Sequence, residues 1–321
     1  MMQVDLPLDR LVQYEYPYPE PDDFDSFWSR TLHEQRAHPL DPRFDQVDAL
    51  VRTVDVYDVT FGGYAGDDVK GWLILPHERT GPLPLVVEYL GYGSGRGHPV
   101  ESLAYASAGF AHAIMDSRGQ GSALRAGHTA DPHGAGPSAP GFMTRDILDP
   151  ERYYYRRLFT DAYRFVDAVA THEAVAHDRI AVTGRSQGGA LALVAAGLRD
   201  DVRLAMPHVP FLSAFRRAVQ VTDHSPHGEI VKWLAAHRGS VERAFETLAY
   251  FDAVSFARRA TCHGRFCVAL HDVVSPPSTV FAAYNAYAGP KEMTVWQFNG
   301  HEAGGPEDIL RTIRAVRELV Q

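Results

Sequence analysis

The sequence predicts an α/β fold: a mostly parallel central sheet with helices on both faces and a helical insertion near the sheet's C-terminal edge. Three observations predict it. Short, nearly continuous apolar runs recur along the chain, as strands buried on both faces require. Helix-like segments lie between most of these runs, and such alternation implies right-handed crossovers in a parallel sheet. One stretch, RIAVTGRSQGGALALVAA at 179–196, passes from β-branched residues through a knot of glycines into alanine and leucine. A strand there must turn sharply into a helix.

The chain of 321 residues reads as one domain. Residues 1–45, rich in proline, tyrosine and acid, form an N-terminal extension. Within it, DDFDSFWSRTLHEQR spaces Phe24, Phe27, Trp28 and Leu32 as one helix face, to lie against the core or a neighbouring subunit. VRTVDVYDVTF and DVKGWLILP form an antiparallel pair joined by the turn GGYAGD. LPLVVEYL, FAHAIMD, RIAVT, VRLAMP, RFCVALH and MTVWQF supply the remaining strands. Helices are expected near 100–108, 156–172, 188–199, 277–287 and 306–320. Two connections exceed this scheme. Residues 117–155, rich in glycine and proline, form an ordered surface excursion. Residues 211–258 hold two or three helices and no strand. That insertion either covers a pocket or serves as decoration or an oligomer contact.

A hydrophobic content of 45% beside 22% charged residues describes an ordinary soluble globular protein. A net charge of -9, with no basic run, argues against nucleic acid and anionic membranes as partners, because their phosphates would repel it. No apolar run approaches the ~20 residues of a membrane span. MMQVDLPLDRLVQYEYPYPE is not read as a signal peptide. Cys262 and Cys267 are too few for a disulfide framework and lie in or beside a buried strand. Structural thiols in a reducing cytoplasm are expected.

Gly184-Arg185-Ser186-Gln187-Gly188 fits G-x-S-x-G at the strand–helix turn. Glycines two places either side of a strained turn residue remove a collision, and the serine hydroxyl is held above the sheet edge. The alternative is an ordinary glycine-rich turn with a capping serine. A serine hydroxyl needs a base to take its proton and an acid to orient that base, in the chain order Ser, acid, His. Asp272 follows the strand RFCVAL, where such an acid belongs, unless it only caps the next turn. Its neighbour His271 should face the other way, because strand side chains alternate. The chain has sixteen histidines, so chain order is what singles out His301, on the glycine-rich loop after MTVWQF. Glu302 supports that loop.

An oxyanion needs two backbone N–H donors. Gln187 supplies one, and the glycine-rich loop at 90–97 after LPLVVEYL supplies the other. That loop lacks the Gly-Lys-Ser/Thr ending of a phosphate-binding loop and the pattern of a dinucleotide fold. No cofactor is expected. No metal is expected either: His224 with His227, His128 with His133, and Cys262 with His263 and Cys267 all lack companions at a recognised ligand spacing.

These residues resemble the acetyl xylan esterases and cephalosporin C deacetylases of carbohydrate esterase family seven. Three signatures carry the resemblance: Arg118-Gly119-Gln120, Gly184 to Gly188 with glutamine after the serine, and His301-Glu302. It extends through GFMTRDILDPERYYYRRLFTDA, VPFLSAFRRAVQ, ETLAYFDAVSFA and PPSTVFAAYNAYAGPKE, and covers nearly the whole chain. The resemblance implies an α/β-hydrolase fold and a triad of Ser186, Asp272 and His301. It implies an oxyanion hole from the N–H groups of Tyr92 and Gln187, with Arg118, Gly119 and Gln120 supporting the site. It implies a small acetylated carbohydrate as substrate (acetylated xylo-oligosaccharides, or an antibiotic such as cephalosporin C) and a homohexamer. The sequence departs from the pattern at Ala269-Leu270-His271-Asp272, at Ser275 in place of a cysteine, and at Asn299-Gly300. These departures fall on the acyl pocket and the choice of alcohol. The rival readings are a serine peptidase of the prolyl-oligopeptidase kind, which usually carries a further large domain, and a non-catalytic binding module, which typically loses a triad member.

Overall fold

A computed structural model describes residues 5–134 and 138–320. Residues 1–4 of the N-terminal extension, 135–137 of the surface excursion and 321 lie outside the described residues. Nine strands form one sheet in the order β1-β2-β3-β5-β4-β6-β7-β8-β9. They are β1 (Arg43–Val47), β2 (Val54–Gly62), β3 (Asp68–Pro76), β4 (Leu83–Tyr89), β5 (Ala111–Met115), β6 (Val175–Arg185), β7 (Val202–His208), β8 (His263–Ala269) and β9 (Lys291–Trp296). β1, β2, β3 and β5 pair antiparallel, and from β5 to β9 every pairing is parallel.

The helices are α1 (Leu8–Leu11), α2 (Phe24–Gln35), α3 (Ala104–Ser107), α4 (Tyr154–Ala170), α5 (Gln187–Leu198), α6 (Phe215–Val221), α7 (His227–Ala236), α8 (Val241–Ala249), α9 (Ala253–Ala257), α10 (Pro277–Ala286) and α11 (Pro306–Leu319). Among the described residues no helix is long and apolar enough to cross a membrane.

Burial explains the strand assignments. All five residues of β5 are buried, as a strand covered on both faces must be. β2 and β3 pair with Val54 opposite Pro76 and Gly62 opposite Asp68, and the predicted turn closes them. Pro84 sits in the interior strand β4, where a missing N–H is costly. The register against β6 shifts between Pro84 and Leu85, so the irregularity absorbs it. α5 is buried along most of its length because it packs against β6, β7 and α9. Gly197 permits the last contact, since a Cβ there would lie 2.4 Å from the Phe256 carbonyl oxygen.

The predicted apolar face of α2 joins the core. Trp28 stacks near Phe159 and meets Phe251 and Phe256 edge-on, at centroid distances of 5.8, 5.6 and 5.3 Å. Its indole N–H donates to the Tyr250 carbonyl at 2.9 Å. Arg164 on α4 fastens the end of the extension. Its guanidinium donates to the carbonyls of Gly62, Gln35, His38 and Pro39.

Three elements differ from expectation. β1 straddles the end of the extension: Arg43, Asp45 and Gln46 are exposed and Phe44 and Val47 half-buried, as an edge strand allows, so no apolar run marks it. The helix expected at 100–108 is reduced to a single 3₁₀ turn at Pro99–Glu101 and the one-turn α3. The insertion holds four α-helices, α6 to α9, rather than two or three. Their short lengths blur the 3.6-residue period.

Within the insertion His227 is fully buried, and neither ring nitrogen has a hydrogen-bond partner among the described residues. Its ring packs against Phe211, with centroids 4.3 Å apart and planes tilted by 48°. Burial pushes its imidazole down to about 3. The unfolded chain therefore binds a proton between about pH 6.5 and 3 that the folded chain refuses, and stability falls as pH falls through that window. The penalty at pH 4 is about 3 kcal/mol. A His227→Phe protein should lose correspondingly less stability than the parent between pH 7 and pH 4 in urea unfolding. Equal losses in the two proteins would mean that His227 is not held neutral.

Candidate active site

The site begins at Tyr89, the last residue of β4. Its carbonyl oxygen would lie 2.0 Å from a Cβ on residue 188 and 2.7 Å from one on residue 184. A Cβ on 184 would also meet the Gly188 carbonyl oxygen at 2.4 Å. No side chain larger than hydrogen fits at either position. The strand can then turn directly into α5, with Ser186 at φ 60° and ψ -120°, a strained conformation held by its surroundings. The Ser186 N–H donates to the His208 carbonyl at 3.0 Å, and its own carbonyl accepts from Phe211 N–H at 3.0 Å. Both ends of the peptide are thereby tied to the segment that leaves β7.

Asp272 lies three residues beyond the end of β8 and is fully buried. Its Oδ1 accepts from the N–H groups of Val274 and Ser275 at 2.8 and 2.9 Å. Its Oδ2 accepts from His301 Nδ1 at 2.8 Å. The carboxylate both caps the following turn and holds the imidazole, so the two readings of this residue are compatible. Ser275 Oγ is buried with no hydrogen-bond partner among the described residues.

His301 sits on the loop after β9. Glu302 Oε1 accepts from Asn299 Nδ2 and Gly300 N–H, both at 3.1 Å. Bonds from its own N–H, from the Asn299 side chain and from Gly300 hold its carboxyl below the usual range. The neighbouring Arg185 Nη1 donates to the Glu302 carbonyl at 3.4 Å. The residue before the serine thus touches the residue after the histidine. Ser186, Asp272 and His301 all follow parallel strands at their C-terminal ends, the edge where such sheets bind ligands.

Gln187 opens α5, so its N–H has no carbonyl one turn back to bond. The helix dipole adds partial positive charge there. Tyr92 lies across from it on the loop after β4. Gln120 joins the two: its Oε1 accepts from Gly93 N–H at 2.6 Å, and its Nε2 donates to Gln187 Oε1 at 3.0 Å and Tyr154 OH at 2.8 Å. Tyr155 OH donates to the same Gln187 oxygen at 3.1 Å. Gln187 Nε2 closes the circuit on the Leu90 carbonyl at 3.2 Å.

Arg118 stands further back. Its fully buried guanidinium binds Asp161 through two nitrogens at 2.5 and 2.8 Å and Asp67 at 2.9 Å. That clamp joins the β2–β3 turn and α4 to the excursion. Gly119, at φ 66°, lets the chain reverse between Arg118 and Gln120.

The structure matches known proteins in the same terms. Residues 1–314 match the family model described as acetyl xylan esterase (AXE1). The chain belongs to the acetyl xylan esterase family. This is a family of carboxylic ester hydrolases on an α/β-hydrolase fold. An acetyl xylan esterase from Paenibacillus sp. R4 superposes with a TM-score of 0.92 at 38% identity, covering 98% of this chain and 100% of that one. Acetyl xylan esterase 1 from Thermoanaerobacterium sp. JW/SL YS485 gives 0.89 at 32% identity, covering 97% and 99%. The acetyl esterase Axe7A of Xylanibacter ruminicola is 29% identical over 291 residues, 89% of this chain. The chain spans 64% of that relative's length.

Three side chains at this site escaped sequence reasoning: Glu229, Tyr154 and Tyr155. Tyr92 OH donates to the Glu229 carboxylate at 2.7 Å, and it accepts from Gly141 and Phe142 N–H at 3.0 and 2.9 Å. Burial pushes the Glu229 carboxyl up. Glu229 is one acid among 40 in the sequence, in a helix of the insertion, and nothing in the local pattern marks it. The run Tyr153-Tyr154-Tyr155 was the available signal for the other contacts.

Replacing Gln120 with Leu should uncouple the Tyr92 loop from Gln187. A displacement of about 1 Å at a donor costs on the order of a hundredfold, so kcat should fall by about tenfold to a hundredfold with KM little changed. Steady-state kinetics on an acetyl ester measures both. An unchanged kcat would mean that the two loops keep their places without the amide.

Proposed function

We propose that the chain hydrolyses acetyl esters of carbohydrates, such as acetylated xylo-oligosaccharides, through an acetyl-serine intermediate. The observation that carries this reading is the His301 Nδ1–Asp272 Oδ2 hydrogen bond, with a serine on a nucleophile elbow at the same C-terminal edge of the sheet. Asp272, buried and hydrogen-bonded to Nδ1, keeps the imidazole in the tautomer whose Nε2 accepts a proton. Nε2 takes the Ser186 proton as Oγ attacks the acetyl carbonyl. The developing oxyanion is met by the N–H groups of Gln187 and Tyr92. The sugar alcohol leaves with the proton carried by His301. Water then repeats the sequence and releases acetate.

Arg118, Gly119, Gln120 and Glu302 position these groups and touch no reacting atom in this scheme. Acetylated antibiotics such as cephalosporin C share the acetyl ester and fall within the same chemistry. The two unpaired thiols support a reducing, cytoplasmic setting. A homohexamer rests on the family resemblance, and light scattering would count the subunits.

Replacing Ser186 with Ala should lower turnover by roughly 10⁴-fold or more, and Asp272 with Asn by about 10⁴-fold, with folding intact by circular dichroism. Acetyl-ester turnover by Ser186→Ala at the parental rate removes the serine from the mechanism.

The substrate is tested by acetate release from acetylated xylo-oligosaccharides, beside 4-nitrophenyl acetate, butyrate and octanoate and a proline anilide. Acetyl esters should be cleaved fastest and the anilide not at all. Preference for the anilide or for octanoate would overturn the proposal.

A further inference from the structure

We propose that His208, Cys267 and Asp308 form a binding site for a zinc-like divalent cation, separate from the ester chemistry. Among the described residues these three side chains bring one ligand atom each within 4.8 Å of one another. Only Cys267 belongs to any sequence-local combination weighed for metal. The others arrive through the fold: His208 ends β7, Cys267 lies in the adjacent β8, and Asp308 lies in the first turn of α11.

The triangle has the right size. His208 Nδ1 is 3.3 Å from Cys267 Sγ, Cys267 Sγ is 3.6 Å from Asp308 Oδ2, and His208 Nδ1 is 3.9 Å from Asp308 Oδ2. A tetrahedral zinc ion with ordinary bond lengths needs N···S and S···O edges of about 3.6 Å and an N···O edge of about 3.4 Å. Every edge is within about half an ångström of its target, so the ion demands side-chain adjustment and no rebuilding of the backbone.

The outer contacts are those that fix metal ligands. His208 Nε2 faces Thr312 Oγ1 at 3.2 Å, an acceptor for Nε2–H in the tautomer whose Nδ1 lone pair would take the metal. Asp308 Oδ1 accepts from Trp296 Nε1 at 3.1 Å, and Oδ2 accepts from Gly304 N–H at 2.7 Å. A cavity of about 140 Å³ adjoins the three residues and has room for a water at the fourth position. Three arginines line its wall: Arg265 pairs with Glu292 and Glu318 and Arg311 with Glu307, and Arg314 is exposed to solvent.

Binding is balanced by one proton. Burial and the neighbouring carboxylate push the Cys267 thiol well up, so the free site holds S–H. Burial lowers the His208 imidazole, so it enters neutral. As the sulfur–metal bond forms, the S–H bond breaks and its proton passes to solvent. The site sits behind the ester chemistry. The His208 carbonyl receives the Ser186 N–H, and Asp308 holds Gly304 in the loop that carries His301.

The test is titration of the intact protein with cobalt(II) and then zinc(II), read by absorption. One equivalent of cobalt should give a thiolate-to-cobalt charge-transfer band with the strong visible bands of a tetrahedral site, and zinc should erase both. Cys267→Ala should abolish the charge-transfer band while acetyl-ester turnover persists, and Cys262→Ala should keep it. Cys267→Ser, nearly isosteric, gives the same readout should the alanine variant misfold. Thr312→Val, which leaves all three ligands in place, should weaken cobalt binding by about tenfold. Absence of the band in the parent protein overturns the proposal. So does a band that survives loss of Cys267, or one that disappears with Cys262.

Discussion

The carbonyl oxygen of Tyr89 occupies the space that a β-carbon on residue 188 would need. That contact sets how closely β4 can pass the start of α5, and so where the loop carrying Tyr92 begins. It obliges residues 184 and 188 to be glycine and leaves the serine between them in a conformation that L residues rarely adopt. The strain is held by bonds on both sides of the peptide, to His208 and from Phe211. Everything that faces Ser186 is placed relative to this one packed crossing.

Around the crossing, buried polar groups do the positioning. Gln120 and Gln187 share their amides with Gly93, Leu90, Tyr154 and Tyr155, and the Arg118 clamp holds the backbone from which Gln120 projects. Such a network is stable only if its members are satisfied together, because an unpaired amide in low dielectric is expensive. Residues distant in the chain are thereby held in one arrangement without contributing to the chemistry. The acid and the imidazole follow the same rule. Both oxygens of Asp272 are engaged, so the carboxylate cannot rotate away from His301 without breaking its bonds to the turn.

Much of this was legible in the residues. The β2–β3 pair, the parallel strands and the long helices were marked by period and by turn chemistry, and the elbow by its glycines. The order serine, acid, histidine picked Asp272 and His301 from many candidates, and the Asp272–His301 contact is present. β1 was invisible because an edge strand need not be apolar, and the number of helices in the insertion was undercounted because segments of 5 to 10 residues leave little periodicity to count. The role of Gln120 followed from resemblance alone. Its hydrogen bonds run to partners 27 to 67 residues away, and no local pattern encodes a contact of that span. Glu229 carries no signal for the same reason, since its partner Tyr92 lies 137 residues away.

The Tyr92 phenol has a further consequence. It is bound at once by the start of the insertion's second helix and by the backbone at 141–142, while its own main chain lies at the mouth of the site. These three segments are therefore a single mechanical unit. A loop graft that exchanged the insertion between relatives, to change which alcohol is accepted, would sever that phenol's anchor unless residues 141–143 and the strand-four loop travelled with it. The natural cassette for recombination in this scaffold is discontinuous in sequence and contiguous in space.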